Sequence, residues 1–235
     1  MPKRIVLVDD DLNIIRLVRA ALEKNGYQVT PFLDGETALA SLDGLKPSAM
    51  ILDLVLPGLE GLDVLRQVRA RPHLAHLPVI ILTSRDSEVE TVLGLEMGAD
   101  DYMAKPIRYH ELLARLKKLL ARPSAQSFRT PESIRIHDLE IDRSACQAKV
   151  NGQNLVLTYL EFQLLALLAE NPGQVFSRDQ LLNLLWHEDQ HYETRTVDVH
   201  VRRLRKKMAD HGIDPLVIET VRQVGYRMSE ASQTT

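Results

Sequence analysis

The chain has 235 residues, 45% of them hydrophobic and 26% charged, with a formal net charge of −3. That length allows two ordinary domains, and that balance excludes both a disordered chain and one whose overall charge announces a nucleic-acid partner. The single cysteine, Cys146, excludes an intramolecular disulfide and a multi-cysteine metal site; with no apolar run of membrane-spanning length and no signal-peptide pattern, a cytoplasmic protein without a membrane partner is expected.

Arg4 to Val8 is an apolar run that ends in Asp9-Asp10-Asp11. Ile14, Leu17, Val18, Ala21 and Leu22 then recur at helical spacing until Asn25-Gly26, and they predict the buried stripe of a first helix. Ile15 lies off that stripe and is predicted to face solvent or a partner. Strands are predicted over 27–32, 49–52, 78–83 and 102–104, and helices over 35–42, 59–71, 86–97 and 111–120. Strand and helix alternate five times, the pattern of a doubly wound five-stranded parallel sheet in an α/β domain.

Four of these strands end in residues with useful chemistry: Asp9 and Asp10 after the first, Asp53 after the third, Thr83 after the fourth, Lys105 after the fifth. Strand ends of a parallel sheet converge on one edge, where ligands bind. Clustered carboxylates repel one another unless a cation neutralises them, and an oxygen-only ligand set favours Mg²⁺. Lys105 offers a positive charge and Thr83 a hydroxyl donor, so the set suits phosphoryl transfer onto Asp53. Taken singly, Asp53 and Asp9–Asp11 read more readily as loop or helix caps than as a reacting site. An aspartyl-phosphate phosphohydrolase with its nucleophile among Asp9–Asp11 also remains open.

The linker is predicted over 123–132, between a first domain (1–122) and a second (133–229), with a disordered tail at 230–235. In the second domain short strand-like pieces (134–136, 139–141, 147–150, 155–157) surround the hairpin turn Asn151-Gly152. Thr158-x-x-Glu161 and Ser177-x-x-Gln180 have capping-box spacing and open two helices. A third helix, predicted over 194–208, carries six basic residues against one acid between Arg195 and Lys207. Val197, Val201, Leu204 and Met208 form its predicted buried stripe, with Arg195, Val199, Arg202 and Lys206 opposite and Asp198 and Arg203 flanking. A hairpin over 218–228 follows. Such a basic helix is either a solvated amphipathic helix or a recognition helix for a DNA major groove.

Val8-Asp-Asp-Asp11, Leu52-Asp-Leu-Val-Leu-Pro-Gly58, Leu82-Thr-Ser84, Gly98-Ala-Asp-Asp-Tyr102 and Lys105-Pro106 resemble the receiver domain of two-component response regulators. Leu157-Thr-Tyr-Leu-Glu-Phe162, Arg195 to Arg205, Thr220-Val-Arg222 and Gly225-Tyr-Arg227 resemble the winged helix-turn-helix output domain of the OmpR/PhoB subfamily, an α+β fold. The resemblance implies a transcriptional regulator, not an enzyme, whose Asp53 accepts a phosphoryl group from a sensor histidine kinase. It implies Mg²⁺ on Asp10, Asp53 and the Val55 carbonyl, with Asp9 assisting through water, and Thr83 and Lys105 on the phosphoryl oxygens. It implies a switch at Tyr102 and a cis Lys105–Pro106 peptide. A phosphorylation-enhanced homodimer face is implied at Val92, Leu95, Glu96, Asp100, Asp101, Glu111, Leu113, Arg115, Lys117 and Arg122, in which Asp101 pairs with Arg115, Glu96 with Lys117 and Asp100 with Arg122. Thr91 replaces the basic partner that the family offers Glu111. For double-stranded DNA, the resemblance implies base reading chiefly by Arg203 with Asp198 and Val199 nearby. Arg195, His200, Arg202 and Arg205 would contact phosphates and Arg222 the minor groove; His200 also reads as a packed helix histidine. RNA polymerase is a further implied partner. Gln223 stands where the family has glycine, which puts the shape of the wing in question.

Overall fold

A computed structural model describes residues 2–83, 94–120, 133–186 and 195–230. The chain divides into two compact units, Met1–Leu120 and Ala121–Thr235. The predicted linker and most of the predicted helix over 86–97 lie outside the described residues, although 94–97 are helical.

The first unit is built on five parallel strands in the order β2-β1-β3-β4-β5: β1 Arg4–Val8, β2 Gln28–Phe32, β3 Ala49–Asp53, β4 Val79–Thr83 and β5 Asp101–Ala104. β1, β3 and β4 are almost wholly buried, as expected of strands covered on both faces. Around them lie α1 (Leu12–Lys24), α2 (Gly35–Leu45), α3 (Gly61–Ala70) and α4 (Tyr109–Leu120). Asp11 and Asp34 start α1 and α2 by accepting hydrogen bonds from Asn13 N and Thr37 N. α3 begins where only glycine fits, because a Cβ on Gly61 would stand 2.1 Å from the Asp53 carbonyl oxygen. This close passage turns the chain sharply just beyond Asp53.

One prediction for α1 is corrected. The helix buries Ile15, Val18 and Leu22, whereas Leu17 is 49% exposed. Positions i, i+3 and i+7 form a stripe just as well as the set centred on Leu17, so periodicity could not choose the side. Ile15 therefore belongs to the core and is withdrawn as a surface docking residue.

The second unit opens with an antiparallel sheet, β6 (Ser133–Ile136), β7 (Leu139–Asp142), β8 (Gln147–Val150) and β9 (Gln153–Leu155). Three helices follow, α5 (Tyr159–Glu170), α6 (Arg178–Leu185) and α7 (Arg195–Asp210). Both predicted capping boxes are present, Thr158 with Glu161 and Ser177 with Gln180. A second sheet, β10-β12-β11, joins the two-residue strand β10 (Phe176–Ser177) to the hairpin of β11 (Ile218–Val221) and β12 (Gly225–Met228). Its tightest point is Gly225, where a Cβ would meet the Phe176 carbonyl oxygen at 1.9 Å. At the hairpin turn Gln223 adopts φ +62°, the left-handed region in which a side chain is strained.

Candidate functional site

Parallel register carries the ends of β1, β3, β4 and β5 to one edge. Asp53, buried at the end of β3, is flanked by β1 and β4. Lys105 Nζ donates to Asp53 Oδ2 at 2.6 Å and lies 3.0 Å from Asp9 Oδ2. The backbone N–H of Val55 donates to Asp53 Oδ1 at 3.3 Å, and that of Asp11 donates to Asp9 Oδ1 at 2.9 Å. Thr83 is buried, and its carbonyl accepts from Lys105 N at 2.7 Å, so the lysine backbone is fixed to the strand that carries the hydroxyl. Tyr102 is half-buried in β5, paired in register with Ile81. The Lys105–Pro106 peptide is cis.

Asp9, Asp10 and Asp53 each present a carboxylate oxygen within 4.8 Å of the others. Burial raises the Asp9 pKa, and the Asp11 N–H and Lys105 only partly offset it. For Lys105, burial alone would favour the neutral amine, but the hydrogen bond to Asp53 and the close Asp9 carboxylate outweigh it and the pKa rises. Asp9 Oδ2 is buried without an aligned hydrogen bond. One ammonium cannot neutralise three carboxylates, and the donors are all oxygen, so the residues present fit a hard divalent cation such as Mg²⁺.

Several residues expected on a surface face are engaged inside the first unit. Asp100 is buried, accepting from Arg69 Nη2 and from Val79 N, both at 2.9 Å, while Arg69 also donates to the carbonyls of Gly98 and Leu77. Its expected partner across a dimer, Arg122, lies outside the described residues. Leu95 is likewise buried. Arg115 pairs within the chain, with Asp101 at 2.7 Å and Glu111 at 2.6 Å. Burial pushes the Asp101 pKa up to about 6 despite Arg115. Glu96 and Leu113 are half-buried and Lys117 is exposed. Val92, Thr91 and Arg122 lie outside the described residues.

In the second unit α7 packs against α5, α6 and the short turn of helix at Pro215–Val217, so more than one stripe is covered. Val197, Val201, Leu204 and Met208 are buried as expected, but so are Val199 and His200. His200 is a packed histidine: its Nδ1 lies 2.8 Å from the Thr196 carbonyl and its ring meets Trp186 edge-on at 5.0 Å. Arg203 is turned inward to the fully buried Glu161 at 2.9 Å, with Lys207 on the other carboxylate oxygen at 2.6 Å. Arg203, expected as the chief base reader, is held by this pair in the protein alone. Arg205 donates to the Ile218 carbonyl and, at 2.8 Å, to Thr220 Oγ1, which ties the helix to β11. Asp198 accepts from Arg178 and Tyr226. Arg202, Lys206 and Arg222 are exposed, and the side chain of Arg195 lies outside the described residues. Sequence reading missed Glu161 as an ionic centre, and it missed Arg178 and Tyr226. Their only local signals were the capping boxes and the Gly225-Tyr-Arg227 run.

Comparison with known proteins adds independent findings. Residues 5–117 match the response regulator receiver domain, and residues 152–228 match the C-terminal domain of transcriptional regulatory proteins. The chain is 41% identical over 227 residues to the DNA-binding response regulator MtrA of Mycolicibacterium paratuberculosis, covering 97% of this chain and 98% of that one. It is equally similar to MtrA of Mycobacterium tuberculosis, with 97% of each chain covered. Among solved structures it resembles a mutant of RitR, with TM-score 0.76 and 26% identity over 97% of this chain and 100% of that chain.

Proposed function

The chain belongs to the OmpR/PhoB family of response regulators, and from that premise we propose that Asp53 accepts a phosphoryl group from a sensor histidine kinase and thereby controls DNA binding. The observation that carries this reading is the buried Asp53 carboxylate with Lys105 at 2.6 Å, beside two further acids. An Asp53 oxygen forms the new P–O bond as the P–N bond to the kinase histidine breaks. Lys105, already in contact with that carboxylate, moves its pairing to a phosphoryl oxygen, and the Thr83 hydroxyl donates to another. Asp10, Asp53 and the Val55 carbonyl, with Asp9 through water, would hold Mg²⁺, which supplies charge neutralisation. Tyr102, half-buried and one strand from Thr83, is the residue proposed to turn inward as Thr83 engages.

The output is DNA-binding regulation of transcription from the cytoplasm; no helix among the described residues is long and apolar enough to cross a membrane. Arg195, Arg202, Lys206 and Arg222 are the proposed DNA contacts, the last from the wing. Arg203 joins them only by releasing Glu161. Phosphate contacts by such cations set affinity and its fall with salt, while few base contacts set selectivity. Phosphorylation favours a two-fold receiver dimer through Glu96, Leu113 and Lys117. Asp101 and Arg115 take part only by exchanging an internal ion pair for one across the axis. RNA polymerase is the proposed downstream partner.

Incubation with acetyl phosphate and Mg²⁺ tests the site. The expected result is one phosphoryl group per chain by intact mass, mapped to Asp53 and absent from Asp53→Asn. Full labelling of Asp53→Asn, or rapid multiple turnover of the donor, contradicts the reading.

A further inference from the structure

Asp198 sits in the first turn of α7, yet its strongest contacts run to two other elements. Arg178 Nε, from the first residue of α6, donates to Asp198 Oδ1 at 2.7 Å. The Tyr226 hydroxyl, from β12, donates to the same oxygen at 2.6 Å. Arg178 Nη2 also reaches the Tyr226 hydroxyl at 3.3 Å, and its guanidinium carbon lies 5.0 Å from the Tyr226 ring centroid. The Arg205 guanidinium approaches the same ring at 5.6 Å while donating to β11. Tyr226 is buried; burial raises the pKa of its phenol, and the hydrogen bond to Asp198 raises it further.

These contacts close a circuit through the backbone. β12 is the middle strand of its sheet, with Phe176 of β10 opposite Tyr226, and β10 leads directly through the Ser177 cap into Arg178. Moving the wing relative to α7 therefore breaks a charge-assisted hydrogen bond and shifts the start of α6 as well. Arg178 also neutralises a carboxylate that would otherwise repel phosphates. The exposed cations Arg202 and Lys206 on α7 and Arg222 on the wing are carried by the two arms of this circuit.

We propose that Asp198, Arg178 and Tyr226 form a positioning lock that fixes α7, α6 and the wing relative to one another, and that the lock sets the selectivity of DNA binding while Asp198 itself reads no base. The proposal rests on the DNA-binding reading above. Selectivity depends on base-reaching groups arriving in a fixed register, whereas phosphate contacts tolerate a loose one. Losing one hydrogen bond to a charged group corresponds to about tenfold in an equilibrium constant.

The test uses the full chain and a duplex selected from a random pool by the unaltered protein, with an unrelated duplex as reference. Tyr226→Phe keeps the ring and removes only the hydroxyl. It is expected to narrow the ratio of the two affinities about tenfold and to leave the slope of affinity against salt in place. Asp198→Ala should narrow the ratio likewise, the double variant should narrow it no further than Asp198→Ala, and Asp198→Asn, which keeps an acceptor oxygen, should recover most of the loss. Additive losses overturn the proposal. So does a changed preference at a single base pair in Asp198→Ala that Tyr226→Phe does not share, because a carboxylate reading a cytosine amino group would behave that way. A second readout needs no DNA. The difference in phenolate absorbance between the unaltered chain and Tyr226→Phe should show one phenol titrating above the ordinary tyrosine value, and Asp198→Ala should bring it down. An unmoved phenol overturns the lock even where DNA binding is intact. A lowered phenol in a chain that selects no duplex instead overturns the DNA-binding reading.

Discussion

Both units bury carboxylates beside cations, but in opposite proportions. In the first, the buried Asp9 and Asp53 share the ammonium of Lys105, with the exposed Asp10 carboxylate within 4.8 Å of both. In the second, Glu161 alone faces Arg203 and Lys207 and also accepts from the Thr158 N–H at 2.8 Å. The consequences differ in sign. Burial wins at Asp9 and its pKa rises, whereas at Glu161 burial would raise the pKa but Arg203 and Lys207 outweigh it and the pKa falls. An excess of acid leaves a cluster that calls for further positive charge and has a carboxylate to spare for chemistry. An excess of base makes a closed clamp, here holding α7 to the start of α5.

Breaking the clamp should have the largest effect. Glu161→Gln leaves two cations partly buried and unpaired, and is expected to lower the stability of the second unit by about 3–5 kcal/mol in urea unfolding. Because the folded pKa of Glu161 is depressed, its contribution is full above the ordinary value of 4.5 and is lost as pH falls through the folded value. The difference between the two proteins should therefore shrink in acid.

Asp101 is an intermediate case, a buried acid that shares Arg115 with Glu111. Its folded pKa is raised from 3.8 to about 6. It therefore supports folding below pH 3.8, and that support disappears as pH rises through about 6. Relative to Asp101→Asn, the unaltered protein should lose up to about 3 kcal/mol across this window, read from unfolding midpoints at a series of pH values.

In the acid-rich cluster a substitution should act the other way. Asp53→Asn removes one of three like charges and leaves Lys105 to Asp9. It is expected to stabilise the first unit by roughly 1–4 kcal/mol, the repulsion of two like charges about 4 Å apart between the bulk-water and protein-surface dielectric limits. Destabilisation of that unit would show that Lys105 binds Asp53 more strongly than the acids repel one another. The smallest effect concerns the wing: Gln223→Gly relieves a left-handed residue at φ +62° and should raise the unfolding free energy of the second unit by roughly 1 kcal/mol or less.

Much of the acidic site was legible because the argument needed only topology. Once strands and helices alternate, Asp53, Thr83 and Lys105 must reach one edge whatever the side-chain details. The capping boxes were legible because their spacing is local. The ionic partners were not. Arg69 meets Asp100 across 31 positions and Lys207 meets Glu161 across 46, and no periodicity encodes such pairs. The same gap hid the inward turn of Arg203, since a helix flanked by other elements buries a wider arc than its apolar stripe suggests. Ile15 and Leu17 exchanged places because two stripes on α1 were equally apolar.

The central claim is that the charge state of Asp53 governs DNA binding by a helix and wing in the other unit. Quantitative footprinting of the full chain on a selected duplex, with and without acetyl phosphate and Mg²⁺, measures this most directly. The expected result is at least a tenfold gain in affinity on phosphorylation, about 1.4 kcal/mol, with no gain for Asp53→Asn. Equal affinity in both states, or an equal gain in Asp53→Asn, would contradict the account.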